Sequence, residues 1–384
     1  MNPALTNQAR LNRIQRASLG IGVIALIICA VAAFFDSGSF FHSYLIAYVF
    51  WVSLALGSLG IVLLHNLVGG RWGAIIRRFL ESGVRTLPLM AVLVIPILLG
   101  IPVLYEWSHH EVVAHDAVLR HKEGYLNPTS FIVRTVFYFA IWIGLSILLA
   151  RRSPIGPASA RLKGISGVGI ILFSFSVTFA AVDWIMSLEP HWFSTIYGAI
   201  FLVGQALQTL AFCTALLAFV SDREPFAGRV EPSWYHDLGN LLLAFTCLWA
   251  YTSFSQFLII WSGNIPEETP WYLRRTAGGW QVVSVLLMVF HFGVPFAILL
   301  SRHVKRRGKL LARVCIAIIV MRFVDLVYWV EPPTPRGVFP LGWLSLVALA
   351  GIGGLWLWMF LWQLERGPLA YMEDPRLAPE GGHH

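Results

Sequence analysis

The stretch Val182–Pro190, which reads VDWIMSLEP, decides how the rest of the chain is interpreted. The same pattern, V-D-x5-E-P, returns at Val324–Pro332 as VDLVYWVEP. Each copy places one carboxylate inside a long apolar segment and a second where the segment meets a proline, which ends a helix. A carboxylate in an apolar membrane segment is costly and indicates a functional site. Its recurrence indicates an internal repeat.

The composition is that of a membrane protein. Of the 384 residues, 57% are hydrophobic and 12% are charged, whereas about a quarter of the residues of a soluble protein are charged. Several apolar stretches reach the roughly 20 residues that cross a bilayer, and no soluble domain fits between them. The net charge of +8 needs no nucleic acid as partner, because basic loops on the cytoplasmic side account for it.

We predict an all-α integral membrane protein of about ten transmembrane helices. The predicted spans are Ala17–Phe35, Tyr44–Asn66, Thr86–Leu104, Phe131–Ala150, Gly167–Leu188, Ile196–Val220, Leu238–Trp261, Gly278–Ser301, Leu310–Val330 and Leu341–Trp362. For the first span a cleaved signal peptide is the alternative, although its apolar run is longer than an ordinary signal core.

The repeat defines the predicted domains. Spans five and nine carry the two copies and run in the same direction, because four spans separate them. We therefore predict two parallel four-helix bundles, made of spans two to five and six to nine. The regions are 1–43 for an N-terminal tail and peripheral helix 1, 44–190 for the first bundle, 191–333 for the second, and 334–384 for peripheral helix 10 and a cytoplasmic tail.

Basic residues predict the orientation. Most of the 28 lysines and arginines lie in the two termini and in one set of loops. This bias places both termini in the cytoplasm and both Glu-Pro corners outside. Within the cytoplasmic loop 67–85, arginines alternate with apolar residues at helical spacing. That pattern predicts a short helix lying on the lipid headgroups, with a solvated connector as the alternative.

The first copy supplies the leading candidates for a proton path. Asp183 lies about five residues before the predicted end of its helix, roughly 8 Å below the outer surface, and Glu189 lies about 9 Å further along the axis. The two could be successive stations for a proton. No basic residue stands at matching spacing, so Asp183 is the stronger candidate for a titrating group unless another helix supplies a partner.

The second copy repeats this arrangement with one difference. Asp325 and Glu331 are again proton-path candidates, but Arg322 precedes Asp325 by three residues. Residues at that spacing face each other on a helix. The spacing favours a structural ion pair between Arg322 and Asp325.

Three further residues complete the candidates. His291 lies near the middle of span eight, where a proton relay, a hydrogen bond to a quinone or a bond to a neighbouring helix are all open. His236 and Asp237 stand at the cytoplasmic start of span seven, where a proton entrance competes with helix capping by Asp237. His65 and His291 differ in depth by about half a membrane and make a poor haem pair. We predict no metal site and no catalytic residue.

Longer stretches carry a family resemblance. Asp183–Ala199 reads DWIMSLEPHWFSTIYGA, Trp234–Trp261 reads WYHDLGNLLLAFTCLWAYTSFSQFLIIW, residues 262–275 read SGNIPEETPWYLRR, and residues 124–128 read GYLNP. They resemble the second quinone-binding membrane subunit of alternative complex III, a bacterial quinol:cytochrome c or electron-acceptor oxidoreductase. That subunit is similar to the NrfD-like membrane anchors of polysulfide reductase.

The resemblance implies a subunit of a respiratory complex in the bacterial cytoplasmic (inner) membrane that supports quinol oxidation and offers a path for proton translocation. It implies that the chain binds no redox cofactor itself, with quinone or quinol as possible ligands. It also implies three partners: a homologous sister membrane subunit, an iron–sulfur subunit and c-type haem subunits. A stand-alone secondary transporter and a purely structural scaffold are the alternatives.

Overall fold

The structure is a computed structural model that describes residues 3–150, 155–331 and 342–377. Within these ranges the chain folds into helices without a strand, and nine helical segments are long and apolar enough to cross a membrane. The protein is therefore an all-α, multi-span membrane protein, as predicted. Pro332 of the second copy and the predicted domain boundary at 333/334 lie outside the described residues.

The helix bounds follow the chain in two halves. The first half contains α1 (Pro3–Phe35), α2 (Ser37–Val68), α3 (Arg71–Val84), α4 (Leu87–Leu93), α5 (Ile95–Leu99), α6 (Ile101–Leu104), α7 (His110–His115), α8 (Ala117–Lys122), α9 (Pro128–Ala150) and α10 (Ala160–Trp184). The second half contains α11 (Tyr197–Val220), α12 (Pro232–Gly263), α13 (Pro270–Arg274), α14 (Trp280–Leu286), α15 (Val294–Leu300), α16 (Arg302–Lys305), α17 (Gly308–Val330) and α18 (Trp343–Glu365). A π-helical segment, Leu287–Gly293, joins α14 to α15.

Helix α17 is the predicted span that the count of nine leaves out. Its 23 residues are long enough to cross a bilayer. Arg313, Arg322 and Asp325 interrupt its apolar sequence, however, so composition alone does not identify it as a span. It packs against α11 and the π-helical segment.

Helix α2 lies at the centre of the molecule and is the most buried of the nine candidate spans. It contacts α10, α11, α17 and α18. Helix α10 packs against α9 and α11, and α11 also packs against α12 and α17. Helices α1 and α18 pack along each other beside α2. Gly22 permits this close approach, because a Cβ atom there would lie 2.8 Å from the backbone nitrogen of Leu355.

Short polar residues set several helix ends. Asp36 caps α2 by accepting a hydrogen bond from the backbone N–H of Ser39 at 3.0 Å, and Ser159 caps α10 by accepting one from Leu162. Asn264 ends α12 with a left-handed backbone, φ 45°. These local signals place the start of α2 and α10 and the end of α12 where the sequence changes from polar to apolar or back.

Helix α3 corrects the prediction for loop 67–85. The segment is helical, but it packs against α2, α11, α12 and α18 instead of lying on the headgroups. Arg78 is buried and donates hydrogen bonds to the backbone oxygens of Gln363, Leu364 and Pro368. The last carbonyls of a helix lack partners within it, so the end of α18 provides acceptors that draw this arginine inward.

Candidate functional site

The Glu189-Pro190 corner and the last turn of α17 lie at the same end of the protein, where Arg275 joins them. This arginine is fully buried, and its Nη1 donates to Glu189 Oε1 at 3.1 Å. Its Nε donates to the backbone oxygen of Tyr328 at 3.0 Å and its Nη2 to that of Trp329 at 3.3 Å. One guanidinium therefore ties the corner after α10 to the last turn of α17. We call this end of the molecule the Glu-Pro end.

Glu189 has a guanidinium on each carboxylate oxygen. Arg274 Nη1 donates to its Oε2 at 2.7 Å, while Arg275 holds Oε1. Arg275 also stacks on the Trp271 ring, with Cζ 3.5 Å from the ring centroid. Burial lowers the pKa of Arg275, and the carboxylate of Glu189 opposes that shift. This predicted proton station is thus the centre of an ionic junction between the two halves of the chain.

Asp183 has a basic partner from another helix. Its side chain is fully buried. The guanidinium of Arg134 in α9 donates two hydrogen bonds to it, from Nε to Oδ2 at 2.9 Å and from Nη2 to Oδ1 at 3.0 Å. Tyr138 Oη adds a third hydrogen bond to Oδ2 at 2.7 Å. The sequence left open a partner from another helix, and the structure shows that partner to be Arg134 of α9. A bidentate contact of this kind is a strong, oriented ion pair.

The end of α10 also differs from the prediction. The helix ends at Trp184, one residue after Asp183, and a 3-10 turn follows at Met186–Leu188. Tyr105 Oη donates to the backbone oxygen of Trp184 at 2.8 Å, and Trp107 Nε1 donates to that of Ser187 at 3.1 Å. Aromatic donors from the preceding loop thus take the carbonyls that another helical turn would use.

The stretch at 124–128 belongs to this first centre. Arg134 Nη1 donates to the backbone oxygen of Tyr125 at 2.8 Å, and the guanidinium lies 3.8 Å from the centroid of the Tyr125 ring. Three nitrogens of Arg134 are therefore bonded at once. Burial, with the nearby charge of Asp183, raises the pKa of Tyr125. Copy one is held from two directions and has little freedom to rearrange.

The second centre lies in α17. Arg322 Nη1 contacts Asp325 Oδ2, and Trp329 Nε1 donates to Asp325 Oδ1 at 3.1 Å. Arg322 and Asp325 are both buried, and their spacing of three residues brings them together on one helix face. The guanidinium fits against α11 because residue 204 is glycine, since a Cβ atom there would lie 2.5 Å from Arg322 Cζ.

Unpaired polar atoms are more numerous at the second centre than at the first, where the Tyr125 hydroxyl is buried without a partner among the described residues. Among the described residues, Arg322 Nε and Nη2 and both ring nitrogens of His291 are buried without a hydrogen-bond partner. His291 is fully buried and lies within the electrostatic reach of Arg322, and its ring meets Trp249 edge-on with the centroids 4.2 Å apart. It sits in the π-helical segment, a feature found often at functional sites. Buried polar groups are nearly always bonded, so this grouping is the strongest candidate site.

His236 and Asp237 lie away from both centres. Asp237 pairs with Arg71 of α3 at 3.4 Å, and His236 contacts Asn240. Asp237 is not the helix cap, because α12 begins at Pro232 and its cap is Glu231. They lie about 20 Å along α12 from Trp249, at 1.5 Å per residue.

The remaining candidate, Glu331, is buried at the end of α17 and borders a groove between α1, α2 and the start of α18. In the described part of the chain, no three His, Cys, Asp or Glu side chains are placed to hold a metal ion.

Sequence reasoning missed three residues that organise these centres: Arg134, Arg275 and Tyr138. Arg134 left a signal, because it and Arg322 are the two arginines inside predicted spans, and a buried arginine requires an acid. Arg275 and Tyr138 left none, since their partners are distant in sequence. No protein-family model matches this chain, and no curated protein is similar to it in sequence.

Proposed function

We propose that the chain is a membrane subunit of a bacterial respiratory quinol:electron-acceptor oxidoreductase of the alternative complex III type, and that it conducts protons through its second bundle. The observation that carries the proposal is the buried His291, whose two ring nitrogens have no hydrogen-bond partner in the described part of the chain, near the Arg322–Asp325 pair. Quinol oxidation releases protons together with electrons, so a subunit of such a complex needs groups that accept and pass protons.

Imidazole suits this task because its ordinary pKa lies near neutral pH and its two nitrogens can take up and release a proton on opposite sides. Four other candidates follow one another along the same bundle. His236 and Asp237 stand at the start of α12, and Asp325 and Glu331 stand toward the Glu-Pro end of α17. In the proposed path His291 connects these two groups, in keeping with the proton relays of intramembrane carboxylates and histidines.

Asp183 and Glu189 receive a different role in this proposal. Arg134 and Tyr138 bond Asp183 and hold α9 against α10. Arg274 and Arg275 bond Glu189, and these contacts support holding the two halves together. The stretches that resemble the alternative complex III subunit, 183–199 and 234–275, meet at the junction of Glu189 with Arg274 and Arg275. The resemblance therefore covers residues that contact one another in space.

The same proposal places the chain in the cytoplasmic membrane with both termini inside the cell. It assigns electron transfer to partners that carry iron–sulfur clusters and c-type haems, with a homologous membrane subunit beside this chain. The chain then acts only within the assembled complex. Quinone or quinol is the substrate class of that complex.

Co-purification tests the proposal. The tagged chain is extracted from its native membrane in mild detergent, and the preparation is examined for c-type haem absorbance and for quinol:cytochrome c turnover. We expect a coloured complex that loses turnover when this chain is removed. A colourless chain that purifies alone and carries solute across vesicles would instead identify a secondary transporter.

A further inference from the structure

Basic side chains without acidic partners gather around α16, at the end of the molecule opposite the Glu-Pro end. This short helix packs against α12 and α17. Arg302 and Arg306 are exposed and lie one turn apart, because the backbone N–H of Arg306 donates to the carbonyl of Arg302 at 3.2 Å. In the described part of the chain neither arginine forms an ion pair. Like charges at this spacing repel each other.

Lys305 adds a buried charge to this group. It is 6% exposed, and its stem crosses α12 at Gly239, where a Cβ atom would lie 2.6 Å from Lys305 Cγ. Its Nζ donates to Asn240 Oδ1 at 2.7 Å, and no carboxylate among the described residues pairs with it. A neutral amide uses one of three N–H donors and leaves the charge uncompensated. Buried charges are ordinarily paired with an opposite charge.

His236 supplies a further donor. The ammonium of Lys305 can only donate, so Asn240 Oδ1 accepts from it and Asn240 Nδ2 donates to His236 Nδ1, 3.3 Å away. In the neutral ring the proton is then on Nε2, which is free to donate. His236 lies within the electrostatic reach of Lys305, Arg302 and Arg306. We call this group the α16 corner; its residues are His236, Asn240, Arg302, Lys305 and Arg306.

The acids near the α16 corner are engaged elsewhere. Asp237 follows His236 in the chain, but it pairs with Arg71 of α3 at 3.4 Å. Asp222 pairs with Lys309 at 3.9 Å. The corner therefore presents N–H donors and positive charge and has no carboxylate of its own. That chemistry is complementary to an anion with several acceptor oxygens, such as a phosphate ester.

The surroundings identify the source of the phosphate as a lipid. Ile298 and Leu300, the last exposed apolar residues before α16, are 37% and 56% exposed, and the candidate span that carries them ends at Leu300. Arg302 thus follows directly after a membrane-facing apolar surface, where acyl chains would lie. Basic pockets between helices at this level bind anionic headgroups. A zwitterionic headgroup fits less well, because its cation finds no carboxylate at the corner.

We propose that the α16 corner binds the phosphate of an anionic phospholipid such as phosphatidylglycerol, with its acyl chains along α15. Arg302 and Arg306 hold the phosphate from the exposed side, and Lys305 and His236 donate to it from α12. The site does not depend on the proposed function, because any membrane chain with this corner would offer it.

Lipid titration tests the site. The full chain, with any partners that co-purify, is washed of native lipid in mild detergent. It is then titrated with phosphatidylglycerol that carries pyrene on one acyl chain, and energy transfer from tryptophan to pyrene measures binding. Pyrene-labelled phosphatidylcholine is the comparison. We expect phosphatidylglycerol to bind about tenfold more tightly, and inorganic phosphate at matched ionic strength not to displace it.

Two double variants separate the corner from net charge. Arg302→Gln with Arg306→Gln should weaken phosphatidylglycerol binding about 25-fold, at roughly fivefold for each basic residue near a membrane surface. Arg161→Gln with Lys163→Gln is the control. It removes the same charge from exposed residues at the start of α10, at the same end of the molecule. The control should bind phosphatidylglycerol as the unchanged protein does.

Asn240→Asp tests the part that Lys305 takes. The substitution keeps the size of the side chain and gives the buried ammonium a carboxylate. Binding of phosphatidylglycerol should weaken about fivefold, while the melting temperature without lipid stays the same or rises. The second measurement shows that the loss does not come from unfolding. Unchanged affinity in a folded Asn240→Asp chain would contradict the role of Lys305.

Three other results would overturn the lipid site. These are equal affinity for phosphatidylglycerol and phosphatidylcholine, equal losses in the two double variants, and displacement by inorganic phosphate. A co-purifying subunit that covers the α16 corner and prevents phosphatidylglycerol from binding would assign the corner to a protein contact instead.

Discussion

The two copies of V-D-x5-E-P hold their aspartates in different ways. At the end of α10, Asp183 pairs with Arg134 of α9, whose guanidinium donates to both carboxylate oxygens. In α17, Asp325 receives its arginine from its own helix, three residues earlier. Asp183 is the penultimate residue of its helix, whereas Asp325 lies a full turn before the end of α17.

The difference teaches how one sequence pattern can serve two purposes. In copy one, Arg134 donates to Asp183 and to the Tyr125 carbonyl, and each of its three guanidinium nitrogens forms a hydrogen bond. In copy two, Arg322 Nε and Nη2 have no partner within the described ranges, and His291 nearby has none either. An ion pair whose nitrogens are all hydrogen-bonded stabilises the contact between two helices. An ion pair with unbonded nitrogens keeps polar atoms that can take part in proton transfer.

The largest expected effect lies where the copies are joined. Arg275→Leu leaves a buried carboxylate oxygen and two helix-end carbonyls without a donor, and should cost about 3–5 kcal/mol of unfolding free energy. Arg274→Leu removes the other guanidinium of Glu189, but its side chain is 51% exposed and such pairs contribute about 1 kcal/mol at most. Unfolding in detergent compares the two. Equal losses would show that Arg275 does not bridge the copies.

The next effect tests copy one alone. Arg134→Leu should cost about 3 kcal/mol, because Asp183 is then buried without its counter-ion. Adding Asp183→Leu should recover most of the loss, since both charges are then gone. A double variant as unstable as the single one would contradict an ion pair whose main contribution is to neutralise Asp183.

A smaller expected effect tests how closely Arg322 of the second copy packs against Gly204. Gly204→Ala would place a methyl group against the Arg322 guanidinium, which cannot move without leaving Asp325. We expect a loss of about 1–2 kcal/mol from overpacking. Gly144→Ala is the control, because nothing lies within 4 Å of a Cβ atom there, and helix propensity makes it neutral or stabilising. Similar melting temperatures for both variants would count against the tight fit.

The smallest expected effect concerns His191, which directly follows the first copy of the pattern. His191 contacts Asp116, whose pKa is lowered mainly by the backbone N–H of Leu119 and then by His191. A depressed folded pKa adds stability above the ordinary value of about 4, and this is lost as pH falls through the folded pKa. The protection of the Leu119 amide against hydrogen exchange, measured relative to an unstructured amide at the same pH, should therefore fall on acidification, and Asp116→Asn should remove that dependence. A protection factor that does not change with pH in the unchanged protein would refute the contact.

Much of the fold was predictable because it depends on local composition. Span lengths and the Arg322–Asp325 spacing are short-range properties of the sequence. The bounds of α10 were not, since Tyr105 and Trp107 end it from a distant loop. The burial of α3 was missed for a similar reason, because amphipathic spacing is the same on a headgroup and against the end of α18.

The candidate site was predictable in its residue types but not in its ranking. Asp183 looked isolated because its partner lies on another helix, and Asp325 looked neutralised because its partner lies nearby in sequence. What separates the two centres is the number of unbonded nitrogens around each arginine. That number depends on Gly204, Tyr125 and the π-helical turn at His291, and these meet only in three dimensions.

The most direct test of the difference between the copies measures the rates of quinol oxidation and of proton release by the complex in sealed vesicles. Its variants are His291→Gln and Asp183→Asn, with His303→Gln as an exposed histidine control. We predict that His291→Gln slows proton-coupled turnover about 10²-fold, the usual contribution of a positioned acid–base group, while assembled Asp183→Asn and His303→Gln stay within about threefold. Loss of proton release in Asp183→Asn with His291→Gln unaffected would contradict the account.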